Sequence, residues 1–193
     1  VPVVMSNVQK QDTISKLKKV YAMVSQAANL TKIDNGLLID HYIDNDSTPT
    51  EEMLNYFKNT YFIPYLQIQK ECTGYAECGY EKALPWTTIS GEEYLFPDMN
   101  NGAYYLLDGT FVALDVDFDW ADLYIDINGP KKPNKYGRDV FVIEIKSQNN
   151  ANKISGGWCS SADAVNSNCS MDGMCCLQKL INDNWEFKDD YPW

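Results

Sequence analysis

The chain has 193 residues, of which 45% are hydrophobic, and this proportion is sufficient for one domain with a packed core. Its formal net charge of -11 argues against a protein that binds nucleic acid duplexes, because such proteins carry clustered Lys and Arg. None of its apolar runs reaches the length of about 18 residues that a transmembrane helix needs.

The charges are divided unevenly along the chain. Nine acids and no base fall between Ala83 and Pro130, whereas residues 1–33 hold five lysines and one acid. Opposite electrostatic fields at two parts of one molecule favour head-to-tail association of copies. A solvated acidic face is the alternative interpretation of the same distribution.

The first predicted element is a long helix from residue 5 to about residue 40. Apolar residues recur along it at helical spacing, lysines fall mostly between them, and no Pro or Gly interrupts it before Gly36. Its first two turns are polar around Met5 and Val8, so we expect its N-terminal part to extend beyond the globular body. We therefore divide this single domain into a long helix, residues 1–45, and a globular α+β unit, residues 46–193.

A short helix ending near Asn59 is predicted next, followed by an extended apolar segment from Tyr61 to Leu66 and by irregular structure over residues 70–102. Four strands are then predicted, at Ala103–Leu107, Thr110–Val116, Leu123–Ile127 and Val140–Ile145. Asp108-Gly109 suits a type I′ hairpin turn between the first two strands. Short links predict an antiparallel meander of about four strands, with the long helix packed on one face in an α+β fold.

The C-terminal part is predicted to consist mainly of loops. The polar run Ser147–Lys153 is interpreted as a surface loop, and Gly156–Gly173 as a loop that disulfides fasten. A last short helix is predicted over Met174–Asn182.

Six cysteines predict disulfide-stapled loops and an oxidising compartment. The candidates are Cys72, Cys78, Cys159, Cys169, Cys175 and Cys176. We expect the first two to pair locally and the last four to pair among themselves, with the adjacent Cys175 and Cys176 taking different partners. Zinc is the alternative, but neither group has CxxC spacing and the chain has one histidine, His41.

Catalytic patterns are weak, and we predict that the chain is not an enzyme. His41 is the sole histidine for a nucleophilic triad and is interpreted as structural. Asp115, Asp117 and Asp119 alternate onto one strand face, which is the ordinary pattern of a half-buried strand. In the alternative interpretation, two of them are the paired carboxylates of a glycoside hydrolase. The sequence has no glycine-rich phosphate loop.

A turn-rich loop from Asp126 to Phe141 links the last two predicted strands. Its candidate calcium ligands are Asp126, Asn128, Asn134 and Asp139, because carboxylate and amide oxygens suit this hard cation. In the alternative interpretation, Asn128-Gly129 forms a turn that two prolines stiffen, and Asp139 caps it by accepting backbone N–H groups. Calcium is the candidate cofactor of this loop.

Two segments of the chain resemble type IV pilin-like proteins, the class that includes pilins and the pseudopilins of type II secretion. Tyr124–Phe141 resembles a family segment in which a strand enters an Asp-x-Asn-Gly loop and leaves through Gly-x-Asp-x-Phe. Val1–Met5 and the following polar-faced helix resemble the end of the family's N-terminal helix, where a Pro closes the hydrophobic half. The family's processing site and buried Glu are not in this sequence, so a membrane-spanning segment of about 20 residues is expected before it.

The resemblance implies a structural subunit of a bacterial pilus or secretion pseudopilus. Such a subunit is anchored in the inner membrane by that preceding segment, then assembles with its own copies and other pilin-like subunits into a periplasmic or extracellular filament. In some members calcium orders a loop that assembly requires.

The alternative function is a secreted, disulfide-rich adhesin or binding module that uses an aromatic surface. The residues of that surface are Tyr75, Tyr80, Trp86, Tyr94 and Phe96. No nucleic acid partner is expected under either interpretation.

Overall fold

The computed structural model describes residues 2–37, 50–94, 97, 102–116, 120–149 and 151–193. Over these residues the chain has an α+β fold, in which a long helix packs on a six-stranded antiparallel sheet. The helices are α1 (Pro2–Asn35), α2 (Glu51–Phe57), α3 (Ala162–Met171) and α4 (Cys176–Asn182), and a π-helical turn (Lys58–Phe62) continues α2. The strands are β1 (Ile68–Cys72), β2 (Ala103–Leu106), β3 (Phe111–Val116), β4 (Trp120–Asp126), β5 (Val140–Gln148) and β6 (Ala151–Ser155).

Consecutive strands are neighbours throughout the sheet, which confirms the predicted meander. The predicted number of about four strands is too low, because β1 and β6 add one strand at each edge. β6 was predicted to belong partly to a surface loop, but it pairs with β5 from Glu144–Ser155 to Gln148–Ala151. An edge strand has one hydrogen-bonded neighbour and an exposed side, so its sequence carries a weak hydrophobic pattern.

The hairpin between β2 and β3 has a three-residue loop. The Leu106 N–H donates to the Thr110 carbonyl oxygen at 2.8 Å, and Gly109 has a φ of +84°. The predicted type I′ turn is wrong, because that turn requires positive φ at both central residues and Asp108 does not have it. A single left-handed glycine closes this longer loop instead.

The long helix α1 covers one face of the sheet. Its buried apolar side chains are Ile14, Leu17, Val20, Val24, Ala27 and Ala28. The predicted helix end near residue 40 is wrong: α1 ends at Asn35, because Gly36 adopts a left-handed φ of +85° and its N–H donates to the Lys32 carbonyl oxygen. At the other end, Val8 is 56% exposed and Thr13 is the first buried side chain among those described, which agrees with the expected extension.

Two segments that were predicted as irregular or extended contain helical residues. The Tyr61–Leu66 segment begins in the π-helical turn, where Tyr61 and Phe62 are buried and the Thr31 hydroxyl donates to the Tyr61 carbonyl at 2.9 Å. The predicted loop Gly156–Gly173 contains α3, whose N-cap Ser161 accepts a hydrogen bond from the Ala164 N–H at 3.2 Å. In both places helical spacing, rather than alternation, brings the apolar side chains onto one buried face.

Both faces of the sheet are covered. Along β4, Leu123 and Ile125 belong to the core cluster that α1 completes, whereas Tyr124 belongs to a second cluster on the opposite face. The second cluster includes the aromatic side chains Tyr80 and Trp86 of the segment that follows β1. This two-sided burial explains why β4 is almost continuously buried and shows no hydrophobic alternation.

The C-terminal cysteines pair as predicted. Cys175 bonds to Cys159, and the adjacent Cys176 bonds to Cys169. These bonds fit an oxidising compartment. The expected bond between Cys72 and Cys78 is not formed in the structure, where both residues are buried free thiols.

We expect the folded protein to resist alkylation by N-ethylmaleimide and to take up two labels when it is unfolded without reductant, at Cys72 and Cys78. The reason is that burial protects both thiols, whereas the other four cysteines are already oxidised. Peptide mapping by mass spectrometry identifies the labelled sites. A disulfide-linked peptide that contains both residues would instead establish a third bond.

Three carboxylates lie side by side across β3, β4 and β5. Asp122 is opposite Asp115 on one side and opposite Glu144 on the other, and it is 4% exposed. Within the described part of the chain its Oδ1 accepts no hydrogen bond. Burial, followed by the nearby charges of Glu144 and Asp115, raises the pKa of Asp122 to about 8. Asp117 and Asp119, the other acids of the predicted strand face, lie outside the described residues.

The raised pKa makes the fold less stable as the pH rises from about 4 to about 8, because the folded chain holds this proton after the unfolded chain has lost it. We expect Asp122→Asn to make this decline shallower and to raise the free energy of unfolding above pH 8 by about 2 kcal/mol. Urea unfolding at several pH values measures both effects. Asp189→Asn, at an exposed position, is the matched control. If the free energy of unfolding falls with pH equally steeply in wild type and Asp122→Asn, the prediction is wrong.

Candidate functional site

The loop between β4 and β5 starts from a fully buried carboxylate. Asp126 is 0% exposed, and its Oδ2 accepts hydrogen bonds from the Tyr80 hydroxyl at 2.8 Å and the Trp86 Nε1 at 3.1 Å. Its Oδ1 accepts from the Asn128 N–H at 3.2 Å. Burial and the nearby Asp139 raise the pKa of Asp126 well above its ordinary value. The carboxylate therefore joins the loop, the sheet and the aromatic segment after β1.

The loop ends at a second carboxylate, which caps the turn. Asp139 accepts from the Lys135 N–H at 2.7 Å, from the Asn134 N–H at 2.9 Å and from the Asn128 side-chain amide at 3.3 Å. Burial raises the pKa of Asp139 as well. These contacts are those of the alternative interpretation, in which Asp139 caps the turn through backbone N–H groups.

The four predicted calcium ligands are largely occupied by donors from the protein itself. The Asn134 side-chain amide, in the orientation that satisfies its hydrogen bonds, donates to the carbonyl oxygens of Gly129 and Lys131 at 3.3 and 2.9 Å. Asn128 Oδ1 is the predicted ligand atom that has no partner within the described ranges. Among the same residues, no three His, Cys, Asp or Glu side chains group to hold a metal ion. The geometry therefore fits a hydrogen-bonded turn better than a preformed calcium cage, and the two interpretations predict opposite responses of the protein to calcium.

We expect the melting temperature to be the same in EDTA and in excess calcium, because protein donors already hold both loop carboxylates. Differential scanning fluorimetry makes the comparison. A fall in EDTA that calcium restores, and that Asn128→Ala removes, would show that the loop binds the cation after all.

Two glycines give the loop its shape. Gly129 has a φ of +63°, as the predicted turn with Asn128 requires. Gly137 has a φ of +77°, and a Cβ there would lie 2.8 Å from the Cys176 sulfur. The glycine of the Gly-x-Asp pattern is thus explained by close contact between the loop and the Cys169–Cys176 disulfide.

A groove of about 520 Å³ separates this loop from the N-terminal half of α1. Its lining residues are Gln9, Asp12, Thr13, Lys16, Ile127, Asn128, Lys132, Pro133, Arg138, Asp139 and Trp193. We call it the loop–helix groove. Lys16 bridges its two sides by donating from Nζ to the Ile127 carbonyl oxygen at 3.1 Å.

Cations concentrate around the loop–helix groove. The Arg138 guanidinium lies over the Trp193 ring at 5.2 Å, and Lys10 lies over the same ring at 5.6 Å. Arg138 Nε is buried and has no acceptor in the part of the chain that the structure describes. Lys16 and the exposed Lys132 add two further cations, and Asp12 and Asp139 are the acids among the lining residues. Sequence reasoning assigned basic character to α1 but did not find the loop cations beside it.

The predicted aromatic binding surface is not one continuous exposed surface. Tyr80 and Trp86 are buried, and the Trp86 ring stacks on Tyr124 with centroids 6.2 Å apart. Tyr75 and Tyr94 are half-buried against the same cluster. These rings are core because the buried carboxylate of β4 supplies the acceptor that the hydroxyl and indole N–H require. Phe96 and His41 lie outside the described residues.

Comparisons with models of protein families, with curated proteins and with solved structures gave no match. The fold defines a structural class: the chain is a disulfide-bonded α+β domain with a long helix on an antiparallel meander. Over the described ranges, no helix combines the length and the hydropathy that a membrane span requires.

Proposed function

We propose that this chain is a structural subunit of a bacterial filament of the type IV pilus or type II secretion pseudopilus kind, assembling through α1. The observation that carries the proposal is the length of α1, which begins at Pro2, about three turns before its first described buried side chain, Thr13. An isolated helical segment is marginally stable in water, so neighbours that cover it stabilise it. Neighbouring helices in a filament provide this cover.

The loop between β4 and β5 supports the same proposal. The Tyr124–Phe141 segment, whose pattern resembles that of pilin-like proteins, forms a rigid connection with a buried carboxylate at each end. It lies beside α1 across the loop–helix groove. A stiff loop next to the assembly helix is well placed to fix the angle at which neighbouring subunits meet.

The charge distribution supports an electrostatic contact between copies. The loop–helix groove carries Lys16, Lys132 and Arg138. In the run from Ala83 to Pro130, which has no base, the exposed acids among the described residues are Glu92, Glu93 and Asp108. Complementary surfaces of this kind orient association and set its register. A head-to-tail contact uses a different face on each partner, so it continues into a filament rather than closing in a dimer.

We test the proposal with the complete gene in the bacterium that carries it. Antibodies against residues 50–193 are expected to label filaments in immunogold electron microscopy, or overexpressed filaments in the case of a secretion pseudopilus. Shearing and sedimentation are expected to recover the same protein in the filament fraction. Protein that is found only as a freely secreted monomer would rule the proposal out.

A charge reversal in the groove tests the contact between copies. We expect Lys132→Glu to reduce the sedimented filament fraction, because a loss of about 1 kcal/mol per contact is repeated at every subunit. Lys153→Glu, which reverses an exposed lysine on β6, is the matched control and should leave the fraction unchanged. Immunoblots of sheared fractions give the ratio. Equal filament yields for the two variants, at equal expression, would place the contact elsewhere.

A further inference from the structure

A second groove, of about 500 Å³, lies against β5 and β6 at the end of β5 that is distant from the Asp126–Asp139 loop. Its lining side chains include Glu144, Lys146, Lys153, Trp158, Gln178 and Asn182. We call it the Trp158 groove. It shares no residue with the loop–helix groove, and the filament proposal does not use it.

Trp158 is exposed in this groove although its backbone is firmly held. Its side chain is 42% exposed. The next residue, Cys159, is bonded to Cys175 at the centre of the core. On the other side, the Gly156 N–H donates to Gln178 Oε1 at 2.9 Å, and the Gly156 carbonyl accepts from the Gln178 N–H at 3.1 Å. A large aromatic ring is thus presented to solvent from an anchored backbone, which lowers the backbone entropy lost when a ligand stacks on the ring.

The polar side chains around the ring are oriented by one another. Gln178 Nε2 donates to Asn182 Oδ1 at 2.9 Å, and the Ser155 hydroxyl donates to Glu144 Oε2 at 3.0 Å. Each of these groups retains further donor or acceptor capacity, since an amide nitrogen carries two hydrogens and a carboxylate has about four lone-pair sites. Donors and acceptors are therefore interspersed along the wall of the groove.

We propose that the Trp158 groove binds a saccharide. A pyranose ring has a flat C–H face and a rim of hydroxyl groups, each of which is both donor and acceptor. The Trp158 ring matches the first feature, and Glu144, Gln178 and Asn182 match the second. The volume lies within the range of about 300 to 1,000 Å³ that is typical of small-ligand sites, so a short oligosaccharide is the class of ligand that fits.

Both neutral and acidic sugars belong to this class. Lys146 and Lys153 are directly opposite each other in the register of β5 and β6, and Glu144 is two residues from Lys146. The floor of the groove therefore carries both signs of charge. A carboxylate on the sugar would interact with the lysine pair, whereas a neutral sugar would depend on the Trp158 ring and the amides. The affinity for an acidic sugar should therefore fall as the salt concentration rises, and the affinity for a neutral sugar should not.

The experiment uses the 193-residue chain on a glycan array that includes neutral, N-acetylated and sialylated oligosaccharides. The strongest array saccharide is then titrated in solution by isothermal calorimetry. We expect Trp158→Ala to weaken binding by about tenfold or more, because the stacking surface is lost, and Trp158→Phe to retain part of the affinity. Asn182→Ala is expected to weaken binding less than Trp158→Ala, since one hydrogen-bonding side chain is removed.

Tyr56→Ala is the matched control, because Tyr56 is an aromatic residue on α2 that is 56% exposed. It should bind as wild type does. An array on which no saccharide exceeds the Trp158→Ala background would overturn the proposal, and so would equal affinities for wild type and Trp158→Ala. Filament assembly plays no part in this assay, so its result is independent of the filament proposal.

Discussion

The buried carboxylate of Asp126 is the interaction on which the rest of the structure depends. Burying an ionisable group is costly unless its oxygens are hydrogen-bonded, and three protein donors hold this one, including Tyr80 and Trp86. The same bonds satisfy a hydroxyl and an indole N–H that would otherwise be buried without acceptors. One side chain at the end of β4 thus fixes the second aromatic cluster, closes the far face of the sheet and starts the loop to β5.

Further constraints extend from that loop to the C-terminus. Gly137 approaches the Cys169–Cys176 disulfide, and its carbonyl accepts a hydrogen bond from the Tyr191 hydroxyl at 2.6 Å. The last residues then turn toward α1, where Trp193 lies under Arg138 and Lys10. The loop–helix groove is therefore bounded by three distant parts of the chain. Its geometry depends on the disulfides and the loop as much as on the helix.

The two grooves suit different kinds of recognition. The loop–helix groove combines cations from α1 and from the loop on a protein with a net charge of -11, which is the basis of the proposed contact with an acidic surface of another copy. The Trp158 groove presents one exposed aromatic ring among amides and charged groups, which favours a small polar ligand. Under the two proposals, the protein would assemble through one surface and bind a saccharide through the other.

The sequence by itself determined features that local chemistry specifies: the four central strands, the long helix and the restriction of disulfide pairing to the four C-terminal cysteines. It offered two roles for Asp139, and the structure shows the capping contacts. Only the tertiary structure decided which aromatic rings are buried, that polar edge segments become β1 and β6, and that Asp122 lies between two other carboxylates. The physical reason is the separation along the chain between the residues that interact. Caps, turns and nearby disulfides depend on residues a few positions apart, whereas burial and strand register depend on partners that are distant in the chain.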